Sequence, residues 1–149
     1  MSNKKISVQE KRERRNALLE MMFESEFRKD ETPEEIYIIS SEERELSADT
    51  CNYLKNIYFD IKEKIEEIDG YINSAAKGWK TSRISKLSLC ILRIAVYEMI
   101  YVEDVPAVIS INEAIELSKK YDDPKAKAFI NGVLNKIKDT LESGTKKDD

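Results

Sequence analysis

The sequence predicts an all-α fold, a compact bundle of about six or seven helices, and three observations carry that expectation. Only 4 glycines and 3 prolines interrupt 149 residues, so long stretches run free of the residues that break helices. The composition, 36% charged with Glu, Lys, Leu and Ile prominent, favours helix over sheet. Through most of the chain the apolar residues recur three and four apart, the spacing that lines up one face of a helix.

The first helix is expected over residues 7–28, where Ala17, Leu18, Met21, Met22 and Ser25 share a face and the opening turns are basic. A second begins at Thr32: TPEE supplies an N-cap hydroxyl, a proline at the first helical position, and Glu35 to complete a capping box. Ile36, Tyr37 and Ile39 give it a short apolar patch. Leu54, Ile57, Tyr58, Ile61, Ile65, Ile68 and Ile72 then trace a single long amphipathic helix. Gly78 and Trp79 mark a break, after which SRISKLSLCILRIAVYEMIYV is apolar on nearly every side, as expected of a helix packed centrally. Pro106 ends that segment, and Ser110 with Glu113 reads as another capping box, opening a fifth helix that carries Ile111, Ala114, Ile115 and Leu117. Asp123 and Pro124 read as N-cap and first position of a last helix, with Phe129, Ile130, Val133, Leu134, Ile137 and Leu141 facing inward. No repeat and no low-complexity linker is present, so residues 1–142 are expected to form one domain, followed by a disordered tail over 143–149.

Several function classes lose support from the residues themselves. With no histidine, no P-loop, no GxGxxG, no GxSxG and no metal-ligand spacing, neither enzyme activity, nor a metal, nor a cofactor is expected. Cys51 and Cys90 sit within apolar helical patterns and read as reduced core thiols. The start, MSNKKISVQEKRERR, has no apolar signal region, and no apolar run approaches the ~20 residues of a membrane span, so a cytoplasmic location is expected.

The formal net charge of −4 conceals segregation. Residues 1–15 sum to +4 and residues 24–45 to −6; residues 70–97 hold no acid and sum to +5, and residues 119–138 sum to +4. Three basic stretches separated by acidic ones can give phosphate a local field that the total does not report.

Inside the most apolar segment, Arg93 and Glu98 need partners, because an unpaired buried charge costs several kcal/mol. Five residues apart, they turn away from each other on a helix, so each is expected to anchor the bundle through other elements. Glu66, Glu67 and Asp69, flanking an apolar stripe, read as solvated surface. Gly132 inside the last helix costs about 1 kcal/mol relative to alanine, which close approach of a neighbouring helix or of RNA would explain.

The last third carries an ordered set of segments: ILRIAVYE at 91–98, Pro106, INEAIELSKKY at 111–121 and FINGVLN at 129–135. This set resembles the NusB family signature of ILR-A-YE, INEA-ELAK and FVNGVLD. RERRNALLEMMFESEF at 12–27 is similar to that family's arginine-rich opening helix. The resemblance covers nearly the whole chain, least closely over 29–47.

The resemblance implies a helical transcription antitermination factor that pairs with the ribosomal protein NusE. It also implies binding to single-stranded boxA RNA in nascent ribosomal RNA transcripts, within an RNA polymerase antitermination complex. Single-stranded RNA is held by cationic side chains along its backbone and by aromatic faces that stack on bases. Arg12, Arg14 and Arg15 match the arginine-rich motif; Phe129 and Asn131 are candidates for stacking on a base and reading its edge, and Lys125 and Lys127, one turn earlier, for phosphate. Lys80, Arg83 and Lys86 are further phosphate candidates. For NusE the corresponding residues are Met22, Phe23 and the segment from Arg83 to Ser88, although many relatives carry an acid where this chain has Ser88. A monomer and a homodimer that masks its RNA face are both compatible with the sequence. Two rival readings are a helical interaction module without RNA contact, and a relative of the RNA-binding domain of ribosomal RNA cytosine methyltransferases. The lack of a glycine-rich cofactor loop argues against a self-contained methylase.

Overall fold

The computed structural model describes residues 6–44, 46–77, 83–121 and 123–147, and among these every regular element is an α-helix. In chain order they are α1 (Val8–Ser25), α2 (Pro33–Glu43), α3 (Ala48–Glu63), α4 (Ile65–Ala75), α5 (Lys86–Tyr101), α6 (Ala107–Tyr121) and α7 (Ala126–Lys147). The all-α expectation is met, and the helices group into two units, the first ending at Lys62 and the second beginning at Glu63. The break expected at Gly78 and Trp79, and the candidate Lys80, lie outside the described residues.

In the first unit, α1 starts where Ser7 caps it, its Oγ accepting from the Glu10 backbone N–H at 3.1 Å. Ala17, Leu18, Met21, Met22 and Ser25 are all buried, as their spacing requires. The helix stops at Ser25 rather than residue 28, because Phe27 and Arg28 donate to carbonyls only three residues back, tightening the final turn. At α2 both arms of the capping box are present: Thr32 Oγ1 accepts from Glu35 N–H at 3.2 Å, and Glu35 Oε1 accepts from Thr32 N–H at 2.9 Å. Two polar contacts tie α2 and its C-cap to α1. Ser40 Oγ donates to Glu24 Oε1 at 2.8 Å, and Arg44 Nη2 reaches Glu20 Oε1 at 2.8 Å. α3 buries Leu54, Tyr58 and Ile61.

The single long helix expected from Leu54 to Ile72 is two helices. Lys64, with φ −100° and ψ 14°, leaves the helical region between α3 and α4. The next turn still closes, Ile68 N–H donating to the Lys64 carbonyl at 3.1 Å, so the three and four spacing of isoleucines continues across the interruption and conceals it. No proline or glycine marks the place.

In the second unit α5 is central, packing against α4, α6 and α7. From Ser88 to Glu98 every residue except Arg93 is buried. Arg93 and Glu98 hydrogen-bond to different helices. Arg93 reaches Asp69 on α4, and Glu98 Oε1 accepts from Ser110 Oγ on α6 at 3.0 Å. This corrects two expectations. Asp69 is a structural partner and not solvated surface; Glu66 and Glu67 are exposed. Ser110 does not cap α6, which begins three residues earlier at Ala107: Pro106 presets the backbone, and its carbonyl accepts from Ile109 N–H at 2.9 Å. Ser110 lies inside the helix, 2% exposed, with its hydroxyl committed to Glu98.

Before α7, Asp123 is not the N-cap expected of it: its Oδ1 accepts from Lys125 N–H at 2.8 Å, a local turn that precedes the helix. Pro124 is not the first helical position either: it and Lys125 form a turn, closed by Ala126 N–H on the Asp123 carbonyl at 2.9 Å, and the helix starts at Ala126. Ile130, Val133, Leu134 and Ile137 are buried, while Phe129 and Leu141 are only half-buried. Both cysteines are free thiols, Cys90 fully buried. Among the described residues no helix is long and apolar enough to cross a membrane, and no three acidic or thiol side chains gather as metal ligands would.

Candidate nucleic-acid interface

In the first unit the three arginines of α1 have different surroundings. Arg12 is exposed. Arg14 lies over the Tyr53 ring, 5.0 Å from its centroid, with Nε buried and making no hydrogen bond. Arg15 is 8% exposed. Helical geometry places Arg12 and Arg15 about 60° apart and turns Arg14 away from both. Of the motif, Arg12 therefore offers the most surface.

The same helix carries the candidates for a protein partner. Met22 is 2% exposed, whereas Phe23 is half-buried and meets Phe27 edge-on with ring centroids 5.0 Å apart. Phe27, which sequence reasoning passed over, is 62% exposed. An exposed ring of that size is the more informative signal for contact with another chain.

In the second unit, Ser85 caps α5, its Oγ accepting from Ser88 N–H at 3.1 Å, and so brings Arg83 to the helix start. Across from it the turn after Asp123 presents Lys125 and then Phe129. Arg83, Ile84, Ser85, Ser88, Lys125, Ala126 and Phe129 line an open groove of about 290 Å³. Among the described residues no carboxylate lines it, and the first turn of α5 holds no acid to offset the partial positive charge of the helix N-terminus. Two cations, a helix start and one aromatic face thus surround a small apolar floor, an arrangement that can take an oxyanion at its rim and a flat ring within.

The groove joins residues that the sequence assigned to different roles. Lys125 and Phe129, candidates for RNA, line it with Arg83 and Ser88, candidates for NusE. Ser88 is 4% exposed. Lys127 is exposed but lies off the groove, as does Asn131, whose Oδ1 and carbonyl accept from Asn135 Nδ2 at 3.0 and 2.9 Å. Gly132 is exposed, and a Cβ built on it would meet nothing within 4 Å. A neighbouring helix therefore does not explain this glycine. Ile84 and Ser85 fall within the 83–88 segment that the resemblance gave to NusE, but neither was singled out; Ser85, three residues before Ser88, had the spacing of an N-cap.

Comparison with known proteins agrees with this architecture. Residues 12–139 match the model of the NusB family. The chain is 38% identical over 127 residues to the transcription antitermination protein NusB of Ruminiclostridium cellulolyticum, covering 85% of this chain and 87% of that one. It is 44% identical over 125 residues to the protein of the same name in Clostridium perfringens, covering 83% and 92%. Among solved structures it is similar to NusB of T. maritima, with a TM-score of 0.77 at 30% identity over 85% and 88% of the two chains. It is also similar to a chain in the crystal structure of antitermination factors NusB and NusE in complex with dsRNA, with a TM-score of 0.78 at 26% identity over 88% and 97%. Family model, relatives and helical architecture agree: this chain belongs to the NusB family.

Proposed function

We propose that this protein is a cytoplasmic transcription antitermination factor. On this reading its single domain over residues 1–142 binds single-stranded boxA RNA in nascent ribosomal RNA transcripts together with NusE, and so promotes processive elongation by RNA polymerase. The observation that carries the reading is the groove in which Arg83 and Lys125 stand beside Phe129 at the start of α5. Cations for the backbone and an aromatic face for a base are what single-stranded RNA requires. Arg12 and Arg14 on α1 supply further cationic surface; Arg15, largely covered, contributes mainly by supporting that helix, and Lys127 and Asn131 extend the contact beyond the groove.

The same groove contains Arg83 and Ser88, so RNA and NusE meet at or near it, and Phe23 with Phe27 adds an apolar contact for the protein partner next to buried Met22. Ser88 brings a short neutral hydroxyl where many relatives carry an acid, which removes a negative charge from beside Lys125 and Arg83.

The test is a fluorescence-anisotropy titration of labelled boxA RNA, a scrambled strand and a duplex of the same length, each with and without NusE at near-physiological salt. The expected result is preference for single-stranded boxA, strengthened by NusE. Equal weak binding to all three, unchanged by NusE, overturns the proposal and leaves a helical interaction module; preference for the duplex replaces the single-stranded ligand with a double-stranded one.

A further inference from the structure

After Arg93 the chain carries no lysine or arginine until Lys119. Between them lie Glu98, Glu103, Asp104, Glu113 and Glu116, so residues 94–118 sum to −5, the reverse of the basic stretches on either side. The fold assembles this segment as the later part of α5, the connection after it, and α6, all in the second unit. Glu98 is buried against Ser110, whereas Glu103, Asp104 and Glu116 are exposed.

Those acids border an apolar surface that the unit leaves uncovered. Val108 and Ile109, in the first turn of α6, are 54% and 43% exposed; Pro106 beside them is exposed and Val105 half-buried. Adjacent aliphatic side chains on one connection and the turn that follows it make a patch, unlike the single apolar residues scattered over any surface. The backbone beneath them is held. Val105 N–H donates to the Val102 carbonyl at 3.4 Å, and Ile109 and Ser110 both donate to the Pro106 carbonyl, at 2.9 and 3.3 Å. A partner therefore meets a surface already in place, with little left to order on binding. Helical spacing carries the patch onward: Val108, Asn112 and Glu116 stand at steps of four on the outward side of α6, which passes from apolar at its start to acidic further along.

Two cations border the segment, and both are engaged. Lys119 Nζ lies 3.2 Å from Glu116 Oε2, and the Lys64 ammonium lies 5.1 Å from the centroid of the Tyr101 ring. Among the described residues Glu103 and Asp104 take part in no ion pair. Phosphates are repelled by such a rim, and a wholly apolar partner would bury the two carboxylates unpaired. An amphipathic helix with aliphatic and cationic side chains satisfies both parts of the surface. The location leaves room for it. α5 is 16 residues long, about 24 Å at 1.5 Å per residue, with the groove of Arg83 and Ser88 at its start and this patch beyond its end.

We infer that the α5–α6 connection and the first turn of α6 form a docking surface for a cationic amphipathic helix of a partner protein. Val108 and Ile109 take its aliphatic side chains, and Glu103 and Asp104 its lysines or arginines. This surface goes beyond the proposed function and stands whatever fills the groove.

The experiment uses the full chain with valine and isoleucine methyl groups labelled for NMR. It is titrated separately with a synthetic amphipathic helix of leucine and lysine, with a leucine–glutamate counterpart, and with a single-stranded boxA oligonucleotide. Ile38, 51% exposed on α2 within the acidic stretch 24–45, is the reference for unspecific charge attraction. The leucine–lysine helix is expected to shift Val105, Val108 and Ile109 saturably and well before Ile38, and the other two probes to leave them in place. Glu103→Gln with Asp104→Asn is expected to weaken that binding about threefold to tenfold, the loss of two exposed charge contacts. Val108→Ser with Ile109→Ser is expected to abolish the preference over Ile38, read at Val105, with the urea midpoint confirming that the variant folds. Equal shifts at Ile38, equal shifts with both peptides, or shifts of Val108 and Ile109 by the oligonucleotide would each overturn the docking surface. Shifts that grow with protein concentration alone would overturn it in favour of a second copy of this chain. If the peptide result holds and the oligonucleotide binds nowhere, the docking surface stands and the RNA reading is what fails.

Discussion

Arg93 on α5 holds Asp69 on α4 through two parallel hydrogen bonds, Nε to Oδ1 at 2.8 Å and Nη2 to Oδ2 at 2.7 Å. The side chains are 12% and 21% exposed, so the pair is shielded from water without being fully desolvated. A paired guanidinium and carboxylate in this geometry fixes the approach of two helices, and removing one partner strands the other. Arg93→Met is expected to lower stability by about 2–3 kcal/mol, below the ~3–5 kcal/mol of a fully buried pair because water reaches both groups. A urea-unfolding double-mutant cycle with Asp69→Asn checks this; additive losses would mean that the two residues act independently.

Glu98 presents the complementary case, a carboxylate 7% exposed that draws a hydrogen bond from Ser110 on the next helix. Ser110→Ala removes that donor from a buried charge, and the expected loss is about 1–3 kcal/mol. In Glu98→Gln, where the acceptor is neutral, deleting the Ser110 hydroxyl should cost less. Chemical denaturation of the two single variants and the pair gives both figures, and equal costs in the two backgrounds would rule out a charge-assisted bond.

The capping box at α2 yields a pH dependence. The hydrogen bond from Thr32 N–H, then that involving the Thr32 side chain, holds Glu35 below its ordinary value of 4.5. A depressed carboxylate pKa contributes stability above the unfolded value and loses it as pH falls through the folded one. The stability gap between wild type and Glu35→Ala should thus be steady near neutral pH and close below pH 4.5. Thermal unfolding across that range measures it, and a gap that widens on acidification contradicts the assignment. Thr32→Ala, which removes the other arm, is expected to cost about 1 kcal/mol.

How much of this was legible beforehand depends on whether a signal was local. The N-cap at Thr32, the buried face of α1 and the apolar envelope of α5 follow from spacing and side-chain chemistry, and each stands where the sequence puts it. The interruption at Lys64 was invisible because one non-helical residue leaves the isoleucine spacing intact. Ser110 was misread because S-x-x-E fits both a capping box and a helix interior, and only the tertiary contact with Glu98 separates the two. Asp69 shows the same limit: its partner lies 24 residues away, so an acid beside an apolar stripe gave no hint of it. For the interface, charge segregation pointed to basic segments, but the grouping of Arg83 with Lys125 and Phe129 is a product of the fold.

Gly132 offers a test in which stability and binding should move in opposite directions. Because a Cβ there meets nothing within 4 Å, Gly132→Ala is expected to stabilise α7 by about 1 kcal/mol, the helix-propensity difference alone. If an RNA strand lies close along this edge, the added methyl should weaken boxA binding in the same variant. Urea midpoints and anisotropy titrations measured together decide it. A stabilised variant that binds RNA as well as wild type would show that the strand passes elsewhere.

The arginines of α1 make the sharpest contrast, because neighbours in one motif are expected to fail differently. Arg12 is exposed, so Arg12→Ala should leave unfolding nearly unchanged while flattening the salt slope of RNA binding by about 0.7, the share of a single phosphate. Arg15 is 8% exposed, and Arg15→Ala removes packed aliphatic stem as well as charge, so it should lower stability, with weaker RNA binding following from the loosened helix. Arg14, over the Tyr53 ring, should fall between them, losing roughly 0.5–1 kcal/mol of cation–π attraction. Unfolding curves and salt-dependent titrations of the three single variants separate these outcomes. An Arg15→Ala protein of wild-type stability with a flattened slope would mean that Arg15 reaches phosphate directly.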